Sequence, residues 1–190
     1  MNHYRNILTL IGIGILYVGS ILQAEAMDVL ENPILEINRV HNAIKIDGNL
    51  TELEWGKAKG TDYFLEIEPG ENIIPAENTE VKVAYDDQNL YVAFWAFADP
   101  EDIRASYQNR DRAWMDDFVA IFLDTYGDAN AGTMIGSNPY GIQMDALNNG
   151  SGNDDPSFDL VYKSQGKITD EGYQVEMAIP FSSLSFPDKE

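Results

Sequence analysis

The chain has no cysteine, only two histidines, and 12 basic residues against 32 acidic ones. No disulfide can therefore support the fold, and no cysteine can carry a lipid. Two histidines do not make a zinc site of the usual kind. His3 lies in an apolar leader, and His41 has no serine or carboxylate context that would make it a general base. Neither a G-x-S-x-G elbow nor a phosphate loop occurs. No internal repeat and no long amphipathic helix are seen. A net charge of −20 repels nucleic acid and anionic lipid surfaces, so both are excluded as partners. The same charge favours neutral ligands and bound cations. These absences leave no catalytic equipment in view, and the chain is expected not to be an enzyme.

What is there begins with a leader. Arg5 precedes an uncharged apolar stretch from Ile7 to Leu22, and Ala24-Glu25-Ala26 places small residues at both A-x-A positions. That layout predicts a secretory signal peptide over residues 1–26, cleaved after Ala26, with a lead-in over 27–43. The stretch is short for a bilayer span, which needs about 20 apolar residues, and Gly12, Gly14 and Gly19 weaken it further; an uncleaved anchor is the alternative. The expected destination is outside the cytoplasm: periplasm, cell surface or outer membrane of a bacterium.

From residue 44 onward, short strand-like runs alternate with turn residues. "AIKIDGNL" reads as a brief strand ending in an Asp47-Gly48 turn. "TELEWGKA" reads as one helical turn, with Thr51 as N-cap and Glu54 completing a capping box. "TEVKVAY" alternates apolar and polar, and "DDQN" turns it into "LYVAFWAFAD", which predicts a hairpin over 79–98. "FVAIFLD", "YGIQMDAL" and "FDLVYKSQGKI" follow as strands, and "TDEG" turns the last into "YQVEMAIPF". Residues 148–157 read as a polar loop. The pattern predicts an all-β fold, an antiparallel β-sandwich of jelly-roll type, over residues 44–190. "LYVAFWAFA" and "FVAIFLD" are apolar on both faces, so something must cover the face turned away from the core: a loop, a further domain or a ligand.

Four aspartates surround "FVAIFL". Asp117 and Asp124 lie roughly 23 Å apart along an extended strand, too far for the carboxyl pair of a glycosidase, which sits about 5–10 Å apart. Asp116 and Asp117 are adjacent and point to opposite sides of an extended chain. Asp124, Asp128 and Asn130, in the glycine-containing turn "DTYGDANAG", offer hard oxygen ligands of the kind calcium takes; the alternative is plain turn capping. No cofactor is required, and a structural calcium ion is the one candidate. Trp55 and Trp95 read as core residues. Trp114 stands just before a strand, among Arg110, Arg112, Asp116 and Asp117, and reads as the rim of a binding surface. Asn138, Tyr140 and Gln143 in "SNPYGIQMD" could add polar contacts or simply form a turn. The candidate ligand-binding set is thus Trp114, Arg112, Asp117, Asn138, Tyr140 and Gln143.

Several of these runs together resemble one known family. "KIDGNLTELEW" followed by "AENTEVKVAYDDQNLYVAFWAFADPEDIRA" looks like the opening of a family 9 carbohydrate-binding-like domain. "DDFVAIFLDTYGD", "SNPYGIQMDA" and "DEGYQVEMAIPFSSLSF" resemble its later strands in order. "NPYGIQMDA" and "IPFSSLSFP" resemble the version found at the N-terminus of large exported bacterial proteins with a membrane β-barrel region. The resemblance implies a β-sandwich that binds oligo- or polysaccharide, with Trp114 as a stacking residue and often with structural calcium. Ala120 stands where sugar-binding members often have a glutamate that contacts the ligand. The family's pattern also continues past "IPFSSLSFPDKE", so a longer protein, with further strands, is expected. The expected function is non-catalytic carbohydrate binding linked to polysaccharide use. Two alternatives follow from the same family: a structural domain of a membrane-barrel protein that binds no sugar, and an accessory domain of a glycosyl hydrolase.

Overall fold

The computed structural model describes residues 34–148, 154–155 and 157–187. The leader over 1–26, part of the lead-in and most of the 148–157 loop lie outside the described residues.

The described chain forms two sheets. Strands β1 (Asn38–Arg39), β2 (Lys59–Thr61), β3 (Thr79–Tyr85), β4 (Asn89–Phe97), β9 (Lys163–Thr169) and β10 (Gly172–Pro180) make one; β5 (Val119–Leu123), β6 (Gly132–Ser137), β7 (Gln143–Asn148) and β8 (Asp154–Asp155) make the other. The first runs β1-β3-β4-β10-β9, with β2 also on β3; the second runs β5-β6-β7-β8. All pairings are antiparallel except β1 on β3, which is parallel. The β-sandwich is as expected, with that one exception.

Alternation along the strands builds the core. Val92, Phe94 and Ala96 of β4 and Tyr173, Val175, Met177 and Ile179 of β10 face inward, against Val119 of β5 and Ile135 of β6. Val175 sits opposite Phe94, and Met177 opposite Val92, so the two longest strands present matching apolar rows. The β3–β4 hairpin turns where "DDQN" predicts: Asp86 Oδ1 accepts the amides of Gln88 and Asn89, each at 2.7 Å. The β9–β10 turn requires Gly172, whose φ is +137° and where a Cβ would come 2.0 Å from the Ala96 carbonyl oxygen.

The second face of β4 is covered by the chain itself. Val40, Ile44 and Trp55 pack on Ala84, Tyr91, Ala93 and Ala178. "AIKIDGNL" therefore is not a strand: Ile44 and Ile46 join this packing instead of a ladder. The helix α1 (Leu53–Lys57) begins after Glu52, with no side-chain cap bond. The predicted capping box with Thr51 fails because the Glu54 carboxylate is drawn to Asn42 Nδ2, 2.7 Å away. "FDLVYKSQGKI" enters a ladder only at Lys163; before it, Leu160 and Tyr162 turn into the core. The outer face of β5 stays open, with Phe122 66% exposed.

One buried carboxylate fastens the covering segment. Glu176 of β10 points to the outer face, is fully buried, and accepts from Trp55 Nε1 at 2.7 Å, Gly48 N at 2.7 Å and Asp47 N at 2.9 Å. Burial pushes its carboxyl above the usual range, while these three donors pull back toward the ionised form. Glu176→Gln keeps the shape but turns an amide NH₂ toward donors. Urea unfolding at pH 7 should show a loss of about 3 kcal/mol with an unchanged m-value. A loss below about 0.5 kcal/mol, the scale of an ordinary surface change, would mean the contact is incidental.

Candidate functional site

Between β4 and β5 the chain runs from residue 98 to 118 without regular structure, and side-chain bonds shape it. Asp116 accepts from Ser106 N at 2.9 Å, from Ser106 Oγ, and from Asn138 Nδ2 at 2.8 Å. Asp117, next in sequence, turns the other way and accepts from Arg104 N at 2.8 Å and its guanidinium at 3.1 Å. The two aspartates thus clip residues 104–106 to the strand entrance. That clip presents Trp114 edge-on to Phe118, with centroids 6.1 Å apart and planes at 83°.

Below Trp114 lies a compact charge centre. Arg110 donates to Gln143 Oε1 at 2.7 Å, to the Leu160 carbonyl at 2.7 Å, and to the fully buried Asp145. Its Nε lies 3.2 Å from Asp159 and 3.4 Å from Asp111, and its guanidinium stands over the Tyr162 ring at 5.4 Å. Burial pushes the Asp145 carboxyl up; Leu160 N and Arg110 work against that. Burial also raises the Tyr162 hydroxyl well above its ordinary value, so it stays neutral and donates to the Gly136 carbonyl at 2.7 Å.

A cavity of about 500 Å³ opens beside this centre, lined by Arg110, Asp111, Arg112, Trp114, Ser157 and Asp159. An indole ring, guanidinium donors, carboxylate acceptors and a hydroxyl meet there. That set suits a neutral ring with an apolar C–H face and hydroxyls at its edge. Of the six predicted ligand residues, the fold brings Trp114 and Arg112 into the cavity and leaves four outside it. Asp117 is held by Arg104. Asn138 is fully buried; its NH₂ is bound to Asp116 and the Ser106 carbonyl, and its oxygen to the amides of Tyr140 and Ile142. It organises a turn and has no group left for a ligand. Gln143 positions Arg110. Tyr140 stacks on the exposed Tyr107, with centroids 4.2 Å apart. Asp111, Ser157 and Asp159 were not foreseen. Asp159 lay inside a run that reads as strand, and only the turn-in of Leu160 brings it to Arg110.

The calcium candidates separate similarly. Asp124 accepts from the amides of Gly127 at 2.7 Å, Ala129 at 2.8 Å and Tyr126 at 3.1 Å, and Asp128 accepts from Asn130 N at 2.9 Å. Ala129 leads the amides that hold the Asp124 carboxyl below its usual range. These bonds are those of turn capping, and the exposed oxygens of Asp124 and Asp128 keep further lone pairs beyond them. Among the described residues, the carboxylates that do converge are Asp111, Asp145 and Asp159, with oxygens within 4.8 Å of one another. There the Arg110 guanidinium already supplies the positive charge.

Residues 46–190 match the family described as carbohydrate family 9 binding domain-like. The chain belongs to that family. Solved structures agree on the fold of this carbohydrate-binding module. A family 9 module from Caldicellulosiruptor kristjanssonii in complex with glucose is 22% identical, with a TM-score of 0.54 over 80% of this chain and 70% of that one. The same organism's module in complex with cellotriose is 21% identical, with a TM-score of 0.53 over 76% and 66%. A protein of Bacteroides uniformis described as carbohydrate-binding is 13% identical, with a TM-score of 0.60 over 77% and 72%. Comparison with curated proteins finds no match. In this member, position 120 lies opposite Gly136 on the open face of β5. A Cβ on Gly136 would come 3.0 Å from that of Ala120, and Phe118 and Phe122, both exposed, continue the same face. An apolar stripe of Phe118, Ala120 and Phe122 occupies this face, with no carboxylate at position 120.

Acid should loosen the 98–118 loop. Burial works to raise the Asp116 carboxyl, but Asn138 and Ser106 together hold it below its usual value. A carboxylate depressed in the folded state contributes stability above about pH 4, lost as pH falls through that range. Melting temperature should therefore drop between pH 5 and pH 3, with a shallower drop in Asp116→Asn. Equal slopes in the two proteins would remove Asp116 as a source.

Proposed function

We propose that the module binds oligo- or polysaccharide without catalysis, at the cavity where Trp114 meets Arg112, Arg110, Asp111, Ser157 and Asp159. The meeting of one half-exposed indole with donors and acceptors around a ring-sized space carries the reading. Membership of a carbohydrate-binding family and the glucose and cellotriose complexes of its structural relatives support it. Trp114 packs on the C–H face of a sugar, Arg112 donates to its hydroxyls, and Asp111, Asp159 and the Ser157 hydroxyl, whose own proton goes to Asp155, accept from them. In this reading the module is exported to the periplasm, cell surface or outer membrane and serves polysaccharide use as part of a longer protein.

Calorimetric titration with glucose and cellotriose tests this. Trp114→Ala should weaken binding about tenfold or more, the scale of a lost stacking contact with its attendant packing, with little change in melting temperature. Binding unaltered by that substitution would sink the assignment. The Asp124 amides and the Arg110 guanidinium argue that no bound cation is required. A chelator should then leave both melting temperature and sugar affinity unchanged, and a fall in either would restore the calcium reading.

The open apolar face of β5 favours a second reading, a structural module that packs against a partner region of its own protein, such as a membrane barrel. In that case Phe122→Ser should abolish the packing of the longer protein, seen as protease sensitivity of the module, while leaving sugar titrations unchanged.

A further inference from the structure

The outer face of the six-stranded sheet carries another cavity, of about 340 Å³, which shares no residue with the one at Trp114. Its walls include Leu50, Glu52 and Leu53 from the covering segment and Glu80, Lys82 and Trp95 from the sheet. Sheet register explains the space. Glu80 lies opposite Trp95, and Lys82 lies opposite Ala93, whose single methyl leaves room between them. Phe97 stacks on Trp95, with centroids 5.1 Å apart, and fixes its ring.

Among the described residues, two side chains of this wall each carry a buried polar atom with no hydrogen-bond partner, Trp95 Nε1 and Glu52 Oε2; the one other such atom, Arg110 Nε, stands against the carboxylates of Asp111 and Asp159. Folded proteins rarely leave such groups unpaired, and each instance calls for a cause. The neighbouring indole shows the contrast, because Trp55 Nε1 is satisfied by Glu176. Lys82 does not complete the set, since its ammonium donates to the Trp55 carbonyl at 3.2 Å. One orphan is a donor and the other an acceptor. A cation would satisfy Glu52 alone. An anion would satisfy only Trp95 and would meet Glu52 and Glu80. A hydroxyl donates and accepts at once, so a neutral hydroxyl-bearing molecule answers both. Leu50, Leu53 and the Trp95 ring supply an apolar wall for its C–H groups, and the volume is at the small end for ligand pockets, about 300–1,000 Å³.

We propose that this cavity is a second carbohydrate site, taking a single neutral pyranose ring whose hydroxyls pair with Trp95 Nε1 and Glu52 Oε2. The proposal rests on the reading of the module as carbohydrate-binding and adds a site to it. Two sites on one module let it hold two chains, or two points of one chain, with a gain in avidity.

Glucose titration by calorimetry, with three variants, tests it. Trp95→Phe keeps the ring and removes the donor; Glu52→Ala removes the acceptor and leaves the backbone carbonyl that starts α1. Because Trp95→Phe deletes an unpaired donor, its melting temperature should hold or rise. The wild-type chain should take two equivalents of glucose, and each of these variants should weaken one of them about tenfold or more. Trp114→Ala should weaken the other. One equivalent, abolished by Trp114→Ala and untouched by the other two variants, overturns the second site and leaves the Trp114 reading standing. Binding lost in Trp95→Phe and Glu52→Ala but kept in Trp114→Ala upholds the second site and overturns the Trp114 reading. No heat with glucose or cellotriose overturns both.

Discussion

The Glu176 carboxylate, buried beneath residues 47–55, is the interaction on which the arrangement of this domain depends. It joins Trp55 and Glu176 across 121 positions of sequence. Through it the segment from Val40 to Ala58 is laid over the outer face of β4 and β10. In a chain without disulfides, that long-range closure must come from burial and hydrogen bonds alone. A carboxylate taken out of water costs several kcal/mol unless its lone pairs are filled. Three donors fill them, two of them backbone amides of a turn whose Gly48 has φ +82°. The packing of Ile44 and Trp55 and the buried charge therefore support each other: the segment excludes water from Glu176, and Glu176 holds the segment down.

A second buried charge organises the other sheet by a different means. Asp145 on β7 is compensated by Arg110 rather than by amides alone, and the guanidinium also gathers Asp111 and Asp159. Arg suits this place because its planar fork serves several acceptors at once and stays charged. The centre pins the long 98–118 loop to β7 through Gln143 and to the chain before β9 through Leu160. Loops of that length without structure of their own are uncommon and are usually functional. Here the loop carries two of the aromatic residues that reach solvent: Tyr107, stacked on Tyr140, and Trp114, set against Phe118.

The two faces thus differ in chemistry. At Trp114 charged groups surround an indole, and apart from Arg110 Nε their polar atoms are largely paired with one another, so the sugar proposed there would exchange partners at the rim. At Trp95 two polar atoms, its own Nε1 and Glu52 Oε2, are unpaired among the described residues, so the ligand proposed there would add partners. The open stripe of Phe118, Ala120 and Phe122 is a third surface, apolar and on an edge strand of its sheet among the described residues. Edge strands with exposed apolar residues are the ones proteins normally protect.

Strands β3, β4, β5, β7, β9 and β10 and the sandwich were legible from residue order, because a period of two and turn chemistry are local properties; β6, whose run carries Gly132 and Gly136 and shows no clear alternation, was not. Asp86 and the "DDQN" turn, Gly172 and the alternation of β3 needed no tertiary information. That Trp114 and Arg112 stand close together just ahead of β5 was also visible in residue order. Local pattern could not place Asp159 at Arg110, commit Asn138 to a turn, or turn the Asp124 oxygens onto amides. Each of those depends on which distant donor arrives first. Nor could it show that Trp95, which reads as core, lies half-open beside Glu52, since that follows from how the 40–58 segment is laid over the sheet. Sequence determined which residues could bury and where the chain turns; tertiary structure decided which polar groups were already satisfied. The reason is physical: hydrophobic periodicity acts over a few residues, whereas a hydrogen bond's partner is chosen by the whole fold.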